Sequence, residues 1–248
     1  MANIKKEYER WLANATADTD VAAELKTLDD AKIEDAFYRN LAFGTGGLRG
    51  VIGAGTNRMN IYTVAKASQG LADYLKKNFA EPSVAIGYDS RIKSDVFAKV
   101  AAGVFAANGV KVNIWPVLMP VPTVSFATRY LHTSAGVMVT ASHNPSKYNG
   151  YKVYGADGCQ ITTEAAAEIL AEIEKLDIFA DVKNSDFEAG IGYQSSTVLD
   201  EPEREAGTTS IPIPQREESE NIPLSDLPGQ LENVQQSGNE IAERGMQT

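Results

Sequence analysis

Apolar residues repeat at helical spacing through the N-terminal part of the chain. The repeat is seen first at Tyr8, Trp11 and Leu12, and again at Ile33, Phe37, Tyr38 and Leu41. Side chains three or four residues apart share one face of a helix, so residues 1–41 are predicted to form a helical lead-in. The four glycines in residues 43–50 favour a tightly turned or functional loop, because glycine neither continues a helix nor packs a strand efficiently. A short strand is predicted at residues 48–52.

From residue 60 onward, helical and strand-like patterns alternate. Helices are predicted over residues 61–75, 94–109, 122–131 and 162–176. Short strands are predicted at residues 84–86, 110–115, 136–140, 151–154 and 159–161. Ser94 is expected to cap the second helix and Gly109 to end it. The alternation is typical of an α/β domain with a mixed, largely parallel sheet covered by helices, and we place this domain at residues 1–188.

Residues 189–248 have a different composition. They contain five prolines, scattered aliphatic residues and acidic clusters. Such a segment buries too little apolar area to offset its ordering entropy, so a disordered acidic tail is predicted. From residue 191 to the C-terminus there are three Arg and eleven Asp or Glu, a balance of −8, and the total of −10 leaves −2 for the first 190 residues. The predicted domain is nearly neutral.

Composition narrows the class of protein. A hydrophobic content of 43% is enough for a packed core. The one cysteine, Cys159, cannot form an internal disulfide, which favours a reduced compartment and hence the cytoplasm. The N-terminus lacks the apolar region of a signal peptide, and no stretch approaches the roughly 20 apolar residues of a membrane span. The net charge is −10 and the predicted domain is nearly neutral, which does not favour binding to a phosphate backbone, so neither a membrane nor a nucleic-acid partner is expected.

Candidate chemistry is concentrated at residues 140–150. A predicted strand delivers the run Thr-Ala-Ser-His-Asn-Pro, followed by Ser-Lys-Tyr-Asn-Gly. Small polar residues at the carboxyl end of a buried strand are where α/β proteins place ligands. Ser142 can act there as a nucleophile or phosphate carrier if cations balance the charge. The alternative is that Asn-Pro and Asn-Gly only turn the chain.

Three motifs together resemble those of the α-D-phosphohexomutases, the phosphoglucomutase and phosphomannomutase family. They are Thr-Ala-Ser-His-Asn-Pro with Asn-Gly-Tyr-Lys at residues 140–152, Thr-Gly-Gly-Leu-Arg-Gly at 45–50, and Gly-Tyr-Asp-Ser-Arg at 87–91. They occur in the family's order, and the lead-in is most similar to the branch that includes phosphopentomutases. The resemblance covers residues 1–188, which corresponds to the first of the family's four domains.

The resemblance implies a phosphosugar mutase that works through a phosphoserine, Ser142, and a sugar bisphosphate. Lys152 is then the candidate general acid or base, Arg49 orients the phosphate, and His143 is a weaker candidate for proton transfer. Phosphate or substrate would be bound by Thr45, Gly46, Gly47, Asn144 and Asn149. Mg²⁺ is the implied cofactor, held in part by the phosphate on Ser142. Each role has a plainer alternative: Lys152 pointing to solvent, Arg49 in a surface ion pair, and His143 as a structural residue.

The family's aspartate-rich metal loop, sugar-recognition loop and phosphate clamp are not found in the sequence. The chain is therefore expected to be a truncated fragment with little turnover of its own. A second hypothesis is a non-catalytic module that binds a phosphosugar or a partner and carries a flexible acidic tail. Apolar surface that faces other domains in the family would be exposed, so self-association is also expected. Which sugar phosphate is handled is left open.

Overall fold

A mixed sheet forms the centre of the domain in the computed structural model, which describes residues 2–185 and the backbone of residues 196–198. Its strands are β1 (Phe43–Gly44), β2 (Gly47–Val51), β3 (Ser83–Tyr88), β4 (Lys111–Ile114), β5 (Ala135–Val139), β6 (Tyr148–Gly155) and β7 (Ser196–Val198). The order across the sheet is β1-β2-β6-β5-β3-β4-β7. Strands β5, β3, β4 and β7 run parallel, whereas β6 pairs antiparallel with both β5 and β2. The predicted α/β class with a mixed sheet is confirmed.

Helices cover both faces of this sheet. The helices of the domain body are α4 (Ile61–Asn78), α5 (Ser94–Ala107), α6 (Val121–Tyr130) and α7 (Thr163–Lys175). Alternate residues of the strands face opposite sides. Val84 and Ile86 belong to the main core with buried residues of α4 and α5. Gly87, the next residue along β3, lies against Val124 of α6 on the other face.

The predicted lead-in forms three helices, α1 (Ala2–Asn14), α2 (Thr19–Leu25) and α3 (Asp30–Phe37). Asp18 and Asp29 cap α2 and α3 by accepting hydrogen bonds from backbone amides of their first turns. Trp11 is fully buried and packs edge to face against three aromatic rings, those of Phe37, Tyr62 and Phe179. The lead-in thus has a small core of its own, which Tyr62 joins to α4.

Two sequence-based expectations are corrected. Lys93, in the left-handed conformation with φ of 61°, precedes α5, and it makes no side-chain cap. Ser94 is instead the first helical residue, and its buried hydroxyl donates to Asp89 Oδ1 over 2.8 Å. The strand predicted at residues 159–161 is only an isolated bridge between Tyr154 and Gln160, because α7 begins too soon for a ladder to form.

The C-terminal segment is mostly outside the described residues. The chain divides into two units, Met1–Ser210 and Ile211–Thr248, and everything described here belongs to the first. Within the predicted tail at residues 189–248, the short strand β7 extends the sheet beside β4. The rest of that prediction falls outside the described residues. Across the part of the chain that is described, no helix combines the length and apolarity of a membrane span.

Candidate active site

Ser142 lies just beyond the carboxyl end of β5, a strand that is buried along its whole length. Thr140 continues the ladder by donating its amide to Gly150 O over 3.0 Å, and the chain then turns out of the sheet. The turn at residues 141–144 is closed by a bond from Asn144 N to Ala141 O of 3.1 Å. Ser142 is its second residue and has φ of 55°, a left-handed conformation that L-residues other than Asn and Asp seldom adopt. The Ser142 side chain is exposed to solvent at the carboxyl end of β5.

A polar brace from the end of β3 supports this turn. Asp89 Oδ2 accepts a 2.5 Å hydrogen bond from Thr140 Oγ1, which in turn accepts the amide of Ser142 at 2.9 Å. Arg91 lies beside Asp89, with Nε 3.6 Å from Oδ2. Its guanidinium donates to four loop carbonyls, those of Ser142, Asn144, Pro145 and Tyr148, over 2.5 to 3.2 Å. A planar fork with several donors suits such a convergence of acceptors, so Arg91 fixes the loop from behind.

Asn149 was predicted to bind substrate or phosphate, and the structure gives it a different place. The side chain is fully buried, and its amide nitrogen donates to Ile92 O and to Ser94 Oγ, each over 3.0 Å. Its oxygen accepts the amide of Gly150 at 2.8 Å. With its polar atoms engaged inside the protein, Asn149 ties the loop to the start of α5 rather than facing the site.

Arg49 and Asn144 come together at the open side of the loop. Arg49 is the exposed residue in the middle of β2, and its Nη1 donates to Asn144 Oδ1 over 3.2 Å. It pairs across the sheet with Gly150 of β6. A Cβ at Gly150 would lie 2.6 Å from Thr140 O, so glycine is needed for β5 and β6 to approach here. The guanidinium thus reaches the Ser142 loop at Asn144, and its role in orienting phosphate stays a prediction.

Lys152 lies two residues further along β6, on the same face of the sheet as Gly150. The neighbouring Tyr151 points the other way into the core, where its hydroxyl meets Ser68 of α4 at 3.0 Å. Partial burial lowers the pKa of Lys152, and the positive charge of Arg49 lowers it further, against the opposing charge of Asp89. A lysine with a lowered pKa exchanges protons more readily near neutrality. The role of Lys152 as general acid or base stays a prediction.

The glycine-rich motif forms a hairpin turn rather than a cradle next to Ser142. Gly44 pairs with Gly47, which leaves Thr45 and Gly46 as an exposed two-residue turn between β1 and β2. Among the described residues, no hydrogen bond joins Thr45 or Gly46 to the Ser142 loop. Gly47 has φ of 73°, and a Cβ there would lie 1.9 Å from Tyr151 O. The motif therefore fixes how closely β2 approaches β6, on which Arg49 and Lys152 depend.

Further hydroxyl groups border the site. His143 is exposed, and its Nδ1 lies 3.4 Å from Ser142 Oγ. An open pocket of about 400 Å³ in front of the loop is lined by Asp89, Ser90, Arg91, Ile92, Ser142 and Ser146. Sequence reasoning did not single out Ser90 or Ser146. Ser90 lies in the Gly-Tyr-Asp-Ser-Arg motif at residues 87–91, but the pairing of β3 with β5 is what brings it to the same pocket as Ser142.

The described residues do not provide a metal site of their own. Across that part of the chain, no group of three His, Cys, Asp or Glu side chains is placed to hold a metal ion. Both oxygens of Asp89 accept hydrogen bonds, Oδ1 from Ser94 and the amide of Arg91, and Oδ2 from Thr140. Mg²⁺ prefers a near-octahedral shell of oxygen ligands, to which a phosphate on Ser142 would add one. The residues described here therefore do not fit the implied Mg²⁺.

Comparisons with known proteins place the chain among phosphosugar mutases by similarity. A phosphoglucomutase from Staphylococcus epidermidis is 43% identical over 165 residues, covering 61% of this chain and 30% of that protein. A protein named probable phosphoribomutase, from Schizosaccharomyces pombe, is 45% identical over 178 residues, covering 71% of this chain and 30% of that protein. The chain thus spans about a third of the length of these curated relatives.

A crystal structure of a "putative phosphomannomutase" from Thermus thermophilus superposes with a TM-score of 0.55 at 30% identity, covering 65% of this chain and 34% of that one. The family model described as phosphoglucomutase/phosphomannomutase, alpha/beta/alpha domain I, matches residues 40–178. The match includes the Ser142 loop, Arg49 and Lys152 and extends over more than half of the sequence. The chain belongs to the phosphoglucomutase/phosphomannomutase family, and residues 40–178 are its alpha/beta/alpha domain I.

Proposed function

We propose that this chain provides the phosphoserine domain of a phosphosugar mutase. In this proposal Ser142 carries the phosphoryl group that interconverts sugar 1-phosphates with 6-phosphates or 5-phosphates through a bisphosphate. The observation that supports it most is the placement of the exposed Ser142 hydroxyl on a braced turn, with Arg49 bound to the same loop. Relatives named phosphoglucomutase and probable phosphoribomutase both match, so the proposed substrates include hexose and pentose phosphates.

The chemistry proposed for the loop is two phosphoryl transfers at the Ser142 oxygen. The Ser142 oxygen attacks the phosphorus of a sugar bisphosphate, the bond from phosphorus to the sugar oxygen breaks, and that oxygen takes a proton from Lys152. His143 Nδ1, 3.4 Å from Oγ, is within reach of the proton that Ser142 loses. Arg49 offsets negative charge on the transferring oxygens. In the return step the sugar hydroxyl attacks the phosphorus of the phosphoserine and gives its proton to Lys152. The bond from phosphorus to the Ser142 oxygen breaks, and that oxygen regains a proton from His143.

Phosphorylation of Ser142 is the direct test. The purified chain is incubated with glucose 1,6-bisphosphate and Mg²⁺, and intact mass is followed by peptide mapping. We expect a mass increase of one phosphate, located on Ser142 and lost in Ser142→Ala. Ser146→Ala is the matched control, because Ser146 is an exposed serine in the same loop that should leave the modification unchanged. An unmodified chain, or phosphate on another residue, would contradict the proposal.

Turnover and acceptor chemistry are separate parts of the proposal. We propose that the chain alone has little or no mutase turnover, because each transfer is slow when the described residues supply no ligand set for Mg²⁺. A single phosphorylation of Ser142 needs only one such slow transfer and accumulates over a long incubation. A coupled phosphoglucomutase assay with a bisphosphate activator tests this, and turnover typical of the family would refute it. The alternative of a non-catalytic binding module is favoured if Ser142 stays unmodified while the chain still binds a sugar phosphate.

Two further expectations stay predictions. Self-association would involve exposed apolar side chains near the carboxyl ends of β3 and β4, where Ile92 is 60% and Leu118 is 56% exposed. A single monomeric peak of residues 1–188 in size-exclusion chromatography would count against it. A reduced compartment such as the cytoplasm suits the exposed free thiol of Cys159, and location by fractionation would test that placement.

A further inference from the structure

A second cleft lies on the lead-in side of the domain and shares no lining residue with the pocket at Ser142. Its volume is about 570 Å³, within the range of roughly 300–1,000 Å³ usual for small-molecule sites. It is bordered by α1, by the segment that follows α3, by α4 and by the end of α7. Apolar side chains contribute part of the wall, namely Ile4, Phe37, Leu41, Leu170, Ile173 and Ile178.

Lys66 of α4 borders this cleft and is half-buried between the buried residues Ala65 and Ala67. Within the described part of the chain, no hydrogen bond and no ion pair at 4.0 Å or less includes its amine. Other lysines are paired, such as Lys77 and Lys175 with Glu172 at 2.7 and 2.8 Å. An ammonium that is partly removed from water without such a partner is costly.

Charged groups border the cleft from each of the helical elements around Lys66, and most already have partners. On α1, Glu7 accepts from Trp11 Nε1 at 3.2 Å and pairs with Arg10 at 3.6 Å. After α7, Asp177 binds Arg10 and the amides of Phe179 and Ala180. Beyond α3, Arg39 donates to Asn57 and lies over the ring of Tyr38. Glu174 of α7 completes the set.

We propose that Lys66 is an acylation site, modified by small acyl phosphates that enter this cleft. The amine nitrogen attacks the acyl carbon, the carbon–oxygen bond to phosphate breaks, and orthophosphate leaves. The nitrogen releases one proton to solvent, and a neutral amide results. Conversion to an amide removes the unpaired buried charge, and the short acyl chain can lie against Leu170 and Ile173.

The state of the amine supports this chemistry. Burial lowers the pKa of Lys66 and is the largest influence on it, and Arg10 acts in the same direction. Asp177, Glu7 and Glu174 raise the pKa without cancelling the effect of burial. The lowered pKa gives Lys66 an excess of neutral, nucleophilic amine at pH values below the ordinary lysine pKa of about 10.4. Above that pH every lysine is neutral, so the excess disappears.

The test is acetylation of the full chain by acetyl phosphate, with initial rates resolved for each lysine by peptide mass spectrometry. Nα-acetyl-lysine amide in the same solution serves as the reference amine, and exposed Lys26 and paired Lys175 serve as internal comparisons. At pH 7.5 we expect Lys66 to react about threefold or more faster than Lys175. The ratio of the Lys66 rate to the reference rate should fall as the pH rises past about 10.4. Lys66→Arg should remove the modification from that peptide alone.

One variant separates the effect of the lowered pKa of Lys66 from the effect of how easily acetyl phosphate reaches it. Glu174→Gln removes a carboxylate that raises the pKa of Lys66, so acetylation of Lys66 at pH 7.5 should become faster. Lys26 should not respond to the same change. A rate ratio that is independent of pH, a Lys66 slower than Lys175 at pH 7.5, or no acceleration in Glu174→Gln would each overturn the proposal. The test uses no sugar phosphate, so its outcome is independent of Ser142.

Discussion

Replacing Ser142 with glycine should remove its proposed chemistry and at the same time stabilise the fold relative to alanine. Ser142 has φ of 55°, where a Cβ is crowded by the following carbonyl at a cost of roughly 1–2 kcal/mol. Glycine adopts this conformation without that cost but gives up about 0.5–1 kcal/mol through its freer unfolded chain. The Ser142 side chain is exposed and makes one long contact, to His143 at 3.4 Å, so little else is lost.

The comparison with alanine isolates the backbone. Ser142→Ala keeps the Cβ and its crowding, whereas Ser142→Gly removes both. In urea unfolding we expect Ser142→Gly to be more stable than Ser142→Ala by about 1 kcal/mol. The m-value, which is the slope of the unfolding free energy against urea concentration, should be the same for both variants. Neither variant should accept phosphate at this position.

Ser146 offers a matched control in the same loop. It is exposed and is not among the residues with positive φ. Ser146→Gly should therefore be less stable than Ser146→Ala, by up to about 1 kcal/mol, which is the opposite order. If Ser142→Gly were equal to or less stable than Ser142→Ala, the strain assigned to Ser142 would be refuted.

Two more substitutions test the supports of the site. Arg91→Ala should lower the free energy of unfolding by about 2 kcal/mol and slow phosphorylation of Ser142, since four carbonyls lose their donor. Arg129→Ala, an exposed arginine on α6, should stay within about 0.5 kcal/mol in the same urea titration, and equal losses would contradict the brace. Gly47→Ala should cost more than about 3 kcal/mol or abolish folding, because its Cβ would lie 1.9 Å from Tyr151 O. A Cβ at Gly46 would meet open space, so Gly46→Ala is the control and should fold normally by circular dichroism. If Gly47→Ala had the same melting temperature as Gly46→Ala, β2 and β6 would be free to separate and the predicted clash would be refuted.

Local signals in the sequence predicted most of the elements. Gly109, with φ of 73°, follows the end of α5 as expected of a terminator, and Thr162 caps α7. These features depend on neighbours along the chain. The roles of Arg49 and Lys152 were inferred from resemblance to a family rather than from spacing, and they stay predictions.

The failure at Asn149 has a physical cause, which is contact between segments that are distant in the sequence. Asn149 is followed by glycine, a pair typical of exposed turns. Its side chain is nevertheless buried, because it donates hydrogen bonds to Ile92 and Ser94, which are more than 50 positions away. At Ser94 the cause is local, because Asp89, five residues earlier, accepts the hydroxyl that was expected to cap α5. Lys66 showed no pattern at all in the sequence, because its cleft is assembled from α1, α4 and α7.

The alternation of side chains along β6 has a consequence for errors in folding. Tyr151 fills the core while Lys152 and Gly150 face the opposite side, and Val153 returns to the core. A slip of β6 by one residue would exchange these faces and bury an ammonium group where a phenol belongs. A folded molecule with β6 in the wrong register is therefore less stable than the native one. The hydrophobic pattern of β6 therefore fixes the register that places Lys152, the lysine that the proposed reaction requires.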